Sequence, residues 1–337
     1  MSSGPPLAAD PLADEPNEDD LIRDAEFWFD AGSVVLVAGK VAFKVYRETL
    51  AVPSVVFQGL FQFPRNAAIL TLDGCPLVKV SDSPEDFRHL LRVLFPRPTV
   101  GENDIPFPHV SAYIRLAHKY KMTSIWDDGV KLLMKYYDPR HDFWACRDGL
   151  GLLLIDPIHA IDAIHIARLT GAEIILPLAF LQCADVGPDL AFGYGREDGT
   201  RIFLTPEDLA RVLRLRDKLR READLHVLAH ERCRFGPLLA TCGATDACTS
   251  PNRCREAACT AWTNAVADRN GGDPLILRPW REIVEEVYGS MCPACRECLL
   301  RRDPLQDARR TLWSYLPRTI GIHVPMWSLV MKPPGEI

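Results

Sequence analysis

No apolar run in this sequence approaches the ~20 residues that a membrane-spanning helix needs. No basic-then-apolar leader stands at its start either, so the expectation is a cytoplasmic or nuclear protein without membrane contact. Catalytic fingerprints are missing as well: there is no G-x-S-x-G, H-E-x-x-H, G-x-x-x-x-G-K-[ST] or G-x-G-x-x-G. Scattered Ser, His and Asp make no site without assembled geometry, so no enzyme is expected. Basic charge is also short, with 39 Lys and Arg against 45 Asp and Glu and a net charge of −6. Residues 1–24 hold Asp10, Asp14, Glu15, Glu18, Asp19, Asp20 and Asp24 against Arg23, which is that same −6, so residues 25–337 sum to zero. The acid-rich start, residues 1–24, cannot bury a core and reads as a disordered arm. A neutral remainder offers nucleic acid no dominant basic face, and no C-x₂₋₄-C…H-x₃₋₅-H finger is present.

What is present suits about two domains of ordinary globular composition, with 337 residues, 47% of them hydrophobic and 25% charged. The stretch 33–61 organises the first half. Val34, Val35, Leu36 and Val37 form an apolar run short enough for a buried strand, and Gly39 can take the positive φ of a tight reversal. Val41, Phe43 and Val45 then alternate with Ala42, Lys44 and Tyr46, a period of two that predicts a half-buried partner strand and a β-hairpin. Beyond Leu50 and Val52, Ser54 is placed to N-cap a short helix carrying Val55, Phe57, Leu60 and Phe61. Phe27-Trp28-Phe29 predicts a leading strand or turn against the hairpin. Residues 67–72 and Val78 to Val80 are further strand candidates around the Asp73-Gly74 turn. Ser83-Pro84-Glu85-Asp86 starts a helix with Phe87, Leu90, Leu91 and Leu94 on one face. A helix pair follows over 110–120 and 124–137, with His118 and Lys119 on its polar side.

The wording Val34, Val35, Leu36, Phe43, Val45, Arg47, Leu50, Ala51, Ser54, Val56 and Phe57 resembles the start of a BTB/POZ domain. S-D-S-P-E-D-F (81–87) and L-A-H-K-Y-K-M (116–122) resemble its later segments, so the likeness covers residues 25–138. The chain departs from the family at Ser33, usually Asp, and at Tyr46, usually His, two positions of the family's conserved pocket. The resemblance implies an α+β fold in which a small β-sheet is flanked by helices. It also implies homodimerisation and, for some members, bridging of substrates to a cullin-type ubiquitin ligase. The apolar side chains Phe27, Phe29 and Leu50 are the expected self-association surface.

From 139 to 337 the pattern is mainly helical. Helices are expected over 157–169, closed by Gly171, over 172–184, and from the Thr205-Pro206-Glu207-Asp208 start toward His230. Arg211, Arg214, Arg216, Lys218, Arg220 and Arg221 on that last helix alternate with acids and read as a solvated mixed-sign face. His159 and His165 do not share a face well enough for a metal pair. The glycines of 185–199 read as plain connection. A helix over 303–316 and a proline-punctuated tail over 320–330 that packs back on the body close the chain.

Eleven cysteines are many, and Cys183, Cys233, Cys242, Cys248, Cys254, Cys259, Cys292, Cys295 and Cys298 all lie in the second half, with 233–298 the rich segment. Metal or free thiols are expected before disulfides. Cys292-Pro-Ala-Cys295 has the spacing that lets two thiolates bind one Zn²⁺ from a tight turn. Cys248 and Cys254 are the candidate second half, because the Ser-Pro-Asn between them is a turn sequence, although their gap exceeds the usual spacing. Cys242 is the reserve ligand. Three readings stay open: structural zinc, thiols without a ligand, and a redox pair in Cys-Pro-Ala-Cys outside the usual βαβ setting. The cysteine-rich half also resembles the tail after the BTB domain in fungal (basidiomycete-type) members, which implies no activity. The leading expectation is a protein–protein interaction scaffold. The alternative is a transcriptional regulator or nucleic-acid-associated protein that uses a zinc-stabilised second half.

Overall fold

The computed structural model describes residues 21–62, 70–96, 105–138, 153–232, 248–268, 276, 280–301, 305–325 and 327. The expected arm over 1–20, residues 67–69 of the expected strand, and Cys233 and Cys242 lie outside the described residues. The architecture is mixed α+β and divides into two compact units, 1–101 with 108–129 and 102–107 with 130–337.

The first unit is built on β1 (Ile22–Trp28), β2 (Val34–Ala38), β3 (Val41–Val45), β4 (Thr71–Leu72) and β5 (Cys75–Val80). Their order in one sheet is β1-β3-β2-β5-β4, with β1 parallel to β3 and β2 parallel to β5. Two hairpins fix the register. The β2–β3 hairpin turns at Gly39, φ +55°, and β4–β5 turns through Asp73 and Gly74 at φ +53° and +75°. Positive φ at both central residues gives the turn a twist that matches the strands.

Two expectations are corrected here. The arm does not reach residue 24: β1 begins at Ile22, and the Asp24 carboxylate is buried, accepting from Phe27 N at 2.8 Å and pairing with Arg88 at 2.9 Å. β3 is not half-buried, because the sheet has a core on each face. On one face Phe43 meets Phe87 at 5.4 Å between ring centroids. On the other, Val35, Val37, Ala42 and Cys75 cluster beneath Leu21, Trp28, Leu72 and Leu77. Lys44 is therefore buried in a strand, and its Nζ reaches Asp73 at 2.6 Å. That hydrogen bond raises the Lys44 pKa and holds the Asp73 carboxyl below the usual carboxylate range.

Helices α1 (Arg47–Ala51), α2 (Val55–Leu60), α3 (Pro84–Leu94), α4 (Phe107–Lys119) and α5 (Thr123–Tyr136) come next in chain order. The expected caps form: Ser54 Oγ accepts from Phe57 N at 3.1 Å, and Ser83 Oγ accepts from Asp86 N at 3.1 Å. Ser54 Oγ also donates to Tyr120 O at 2.5 Å, tying α2 to the end of α4. Phe57 stacks on Tyr120 at 4.2 Å. Asp86 takes a two-pronged contact from Arg115 at 2.8 and 3.0 Å, and Lys119 pairs with Asp82 at 2.5 Å.

The second unit contains a short parallel ladder of β6 (Ile105–Pro106) and β7 (Leu153–Leu154). Helices α6 (Ala160–Thr170), α7 (Leu176–Val186) and α8 (Pro206–Arg232) form its apolar body. Gly171, φ +72°, closes α6 as expected. Residues 173–192 form one helical stretch whose length and mean hydropathy alone would suit a membrane crossing, and most of it is buried inside the fold, as in a core helix. Arg216 is corrected from solvated to buried, where it donates to Ala184 O at 2.6 Å. Residues 185–199 are more than connection: they hold a 3₁₀ turn, and Arg196 reaches the buried Asp162 at 2.6 Å. His159 stacks on Phe107 at 4.7 Å, and His165 Nε2 contacts Phe203 O at 2.9 Å. Beyond these lie α9 (Pro251–Asp268), α10 (Trp280–Glu285), α11 (Pro293–Leu300) and α12 (Gln306–Thr319). The tail returns at Trp327, whose Nε1 donates to Trp313 O at 3.0 Å.

Candidate metal centre

Two helix starts build the centre, and each begins with proline at its first helical position. Proline fixes φ for a first turn and lacks the N–H that would be unsatisfied there. At α11, Cys292 is the extended N-cap residue, φ −72° and ψ 155°, and its carbonyl accepts from Cys295 N and Arg296 N, each at 3.1 Å. Cys295 therefore lies one turn above Cys292. At α9, Ser250 O accepts from Cys254 N at 3.0 Å, which places Cys254 in the first turn, and Cys248 precedes it on the approach.

The sulfurs of Cys248, Cys254, Cys292 and Cys295 all lie within 4.8 Å of one another and could hold a metal ion. The Sγ atoms of Cys292 and Cys248 are 3.8 Å apart. A tetrahedron with metal–sulfur bonds of ~2.3 Å has an edge of ~3.8 Å, so that pair already stands at the required spacing. Cys292 N donates to Cys254 Sγ at 3.3 Å, linking the two halves through an amide. Such N–H donors favour a thiolate over a thiol.

The electrostatics differ across the quartet. The backbone of Cys295 leads the causes that lower the Cys292 thiol to about 6. Burial pushes the Cys254 thiol up, against the pull of the Cys292 amide. Cys254 and Cys295 are buried, while Cys248 and Cys292 are half-buried. Around one ion, four sulfurs would fill a tetrahedral shell, the ligand pattern of structural zinc sites.

The four cysteines singled out from spacing are thus brought together. Cys259 and Cys298 are half-buried and stand outside the quartet, and the Cys259 thiol is raised by burial. Cys183 is wholly buried, and desolvation pushes its thiol far up, as for an inert core residue. Spacing could not disclose the bond from Cys292 N to Cys254 Sγ, because it depends on how the starts of α9 and α11 meet. In the first unit the expected association residues are corrected. Phe27 and Leu50 are fully buried, Phe27 among Phe29 and Phe95, so neither side chain presents a surface, and Phe29 is half-buried against Tyr46. Exposed apolar side chains lie close by instead, at Val52 (86%), Val55 (64%) and Leu60 (43%). Comparison of the chain with protein-family models, with curated proteins and with solved structures gives no match in any of the three.

Proposed function

We propose that the chain is a non-enzymatic protein–protein interaction scaffold, with a BTB/POZ-type first unit and a helical second unit stapled by a structural Zn²⁺ at Cys248, Cys254, Cys292 and Cys295. The observation that carries the interaction reading is the exposed apolar set Val52, just past α1, with Val55 and Leu60 on α2. Elsewhere in this unit Asp24, Lys44, Asp82 and Asp86 are each committed to a structural pair. Apolar side chains exposed on one segment beside such an ionic framework suit a partner surface better than a reaction site. The hairpin, the two short helices after it and the Ser83-capped α3 support the BTB-type reading together with the wording of 33–61. The zinc reading is supported by the four-sulfur donor set and the 3.8 Å sulfur–sulfur edge.

Native mass spectrometry of the full chain, purified without chelator, tests both parts at once. The expected species is a homodimer carrying about one zinc per chain. The double variant Val52→Asp, Val55→Asp is expected to shift it to monomer while retaining the zinc. A wild-type monomer at micromolar concentration overturns the self-association reading, and a metal-free chain overturns the zinc reading.

A further inference from the structure

We propose that Cys248 and Cys292 form a peroxide-sensitive pair whose oxidation to a disulfide opens the four-sulfur centre. The inference rests on the zinc reading and adds a chemical fate for two of its four sulfurs. Three observations on the quartet carry it. Solvent reaches Cys248 and Cys292, both half-buried, whereas Cys254 and Cys295 are 1% and 0% exposed, so an oxidant in water meets only the outer two. Those two are also in direct sulfur–sulfur contact at 3.8 Å, next to the ~2.05 Å of the bond that would join them. They stand just before α9 and α11, on extended backbone at Cys292 and on the approach to Pro251 at Cys248, where neither helix must unwind for the sulfurs to move.

The step balances with hydrogen peroxide as the oxidant. One outer thiolate attacks a peroxide oxygen; the O–O bond breaks, hydroxide leaves, and the sulfur becomes a sulfenic acid. The second outer thiolate attacks that sulfur, the S–S bond forms and a second hydroxide leaves. The two sulfurs have lost two electrons and the peroxide has gained them. Only the buried Cys254 and Cys295 then remain as donors, half of a tetrahedral shell.

The test uses the full chain purified without chelator and shown to hold zinc. It is treated with hydrogen peroxide beside a colorimetric zinc reporter, then alkylated, digested and mapped by mass spectrometry. The expected result is loss of about one zinc per chain in step with a single new disulfide joining Cys248 to Cys292. A thiol reductant with added zinc should reverse both. The variant Cys298→Ser should release zinc at the wild-type rate. Retained zinc, release without a disulfide, or a disulfide on another pair overturns the proposal, as does slowed release in Cys298→Ser. A chain that carries no metal when purified fails at the earlier step and overturns the zinc reading, which separates the two failures.

Discussion

The first unit and the cysteine-bearing layer of the second are packed from different side chains. In the first, Phe27, Phe43, Phe57 and Phe87 have no exposed surface, and rings meet rings from β3 through α3 to α4. In the cysteine-bearing layer of the second, the buried residues among the described side chains of α9 are Cys254, Ala257, Ala258, Ala261 and Trp262. Large aromatic side chains supply much of a core's burial energy, while alanines supply little. A helix face that is mostly alanine, with Trp262 against Trp280 as its large contact, would gain more from a cross-link than one built on phenylalanine. The four sulfurs lie where that cross-link has most to contribute, between the starts of α9 and α11.

The largest expected effect breaks the comparison from the weaker side. Cys295→Ser, or stripping the metal with a strong chelator, should abolish zinc binding, on the scale of ~10 kcal/mol for a structural site. Hydrogen exchange should then report loss of protection over α9 and α11 while the amides of β2 and β3 keep theirs. Equal loss in both units would erase the contrast. Next in size, Phe57→Ala should destabilise the first unit by about 3–5 kcal/mol, read from urea unfolding, because it empties a site lined by Phe61, Phe87 and Tyr120.

Smaller effects sharpen the picture within the first unit. Gly129→Ala should cost about 1–3 kcal/mol by the same measurement, since a Cβ there would stand 2.5 Å from Ile114 Cγ1 and 2.6 Å from Tyr113 Cε2. The smallest concerns Asp73→Asn, which keeps a residue type that tolerates the positive φ but removes the charge facing Lys44. The Asp73 pKa is depressed in the fold, so its contribution is present above the ordinary Asp value of about 4 and fades as pH falls through the lower folded value. The raised Lys44 pKa sets the other limit, its contribution fading as pH rises through the folded value. The stability difference between wild type and variant should therefore be widest near neutrality and shrink toward both extremes, as followed by chemical unfolding across pH.

Local chemistry made the helix starts legible. Ser54, Ser83 and Thr205 all cap as their neighbours suggest, with Thr205 Oγ1 accepting from Asp208 N at 3.2 Å. The cysteine quartet was legible from its turn-rich spacing, although the longer gap from Cys248 to Cys254 is spanned by the start of α9 and not by a simple knuckle. What escaped was whatever depends on distant partners. The alternation at 41–46 marks two faces without revealing that Leu21, Trp28, Leu72 and Leu77 cover the second, so the burial of Lys44 was hidden. Arg216 looks like any surface base until the Ala184 carbonyl stands opposite it. Phe27 and Leu50 are apolar in sequence whether they face a partner or the interior, and only the packing of the sheet decides for the interior.

The apolar stretch 173–192 also bears on how the chain is made. During synthesis α7 leaves the ribosome before α8, the helix that later covers part of it, has followed it out. At ~5–20 residues per second, α7 spends seconds beside α6 with much of its surface still bare. Until α8 arrives, that apolar surface has no cover from it. Fragments that stop before 206 should go to inclusion bodies or membranes, whereas those that extend through α8 should stay in the soluble fraction.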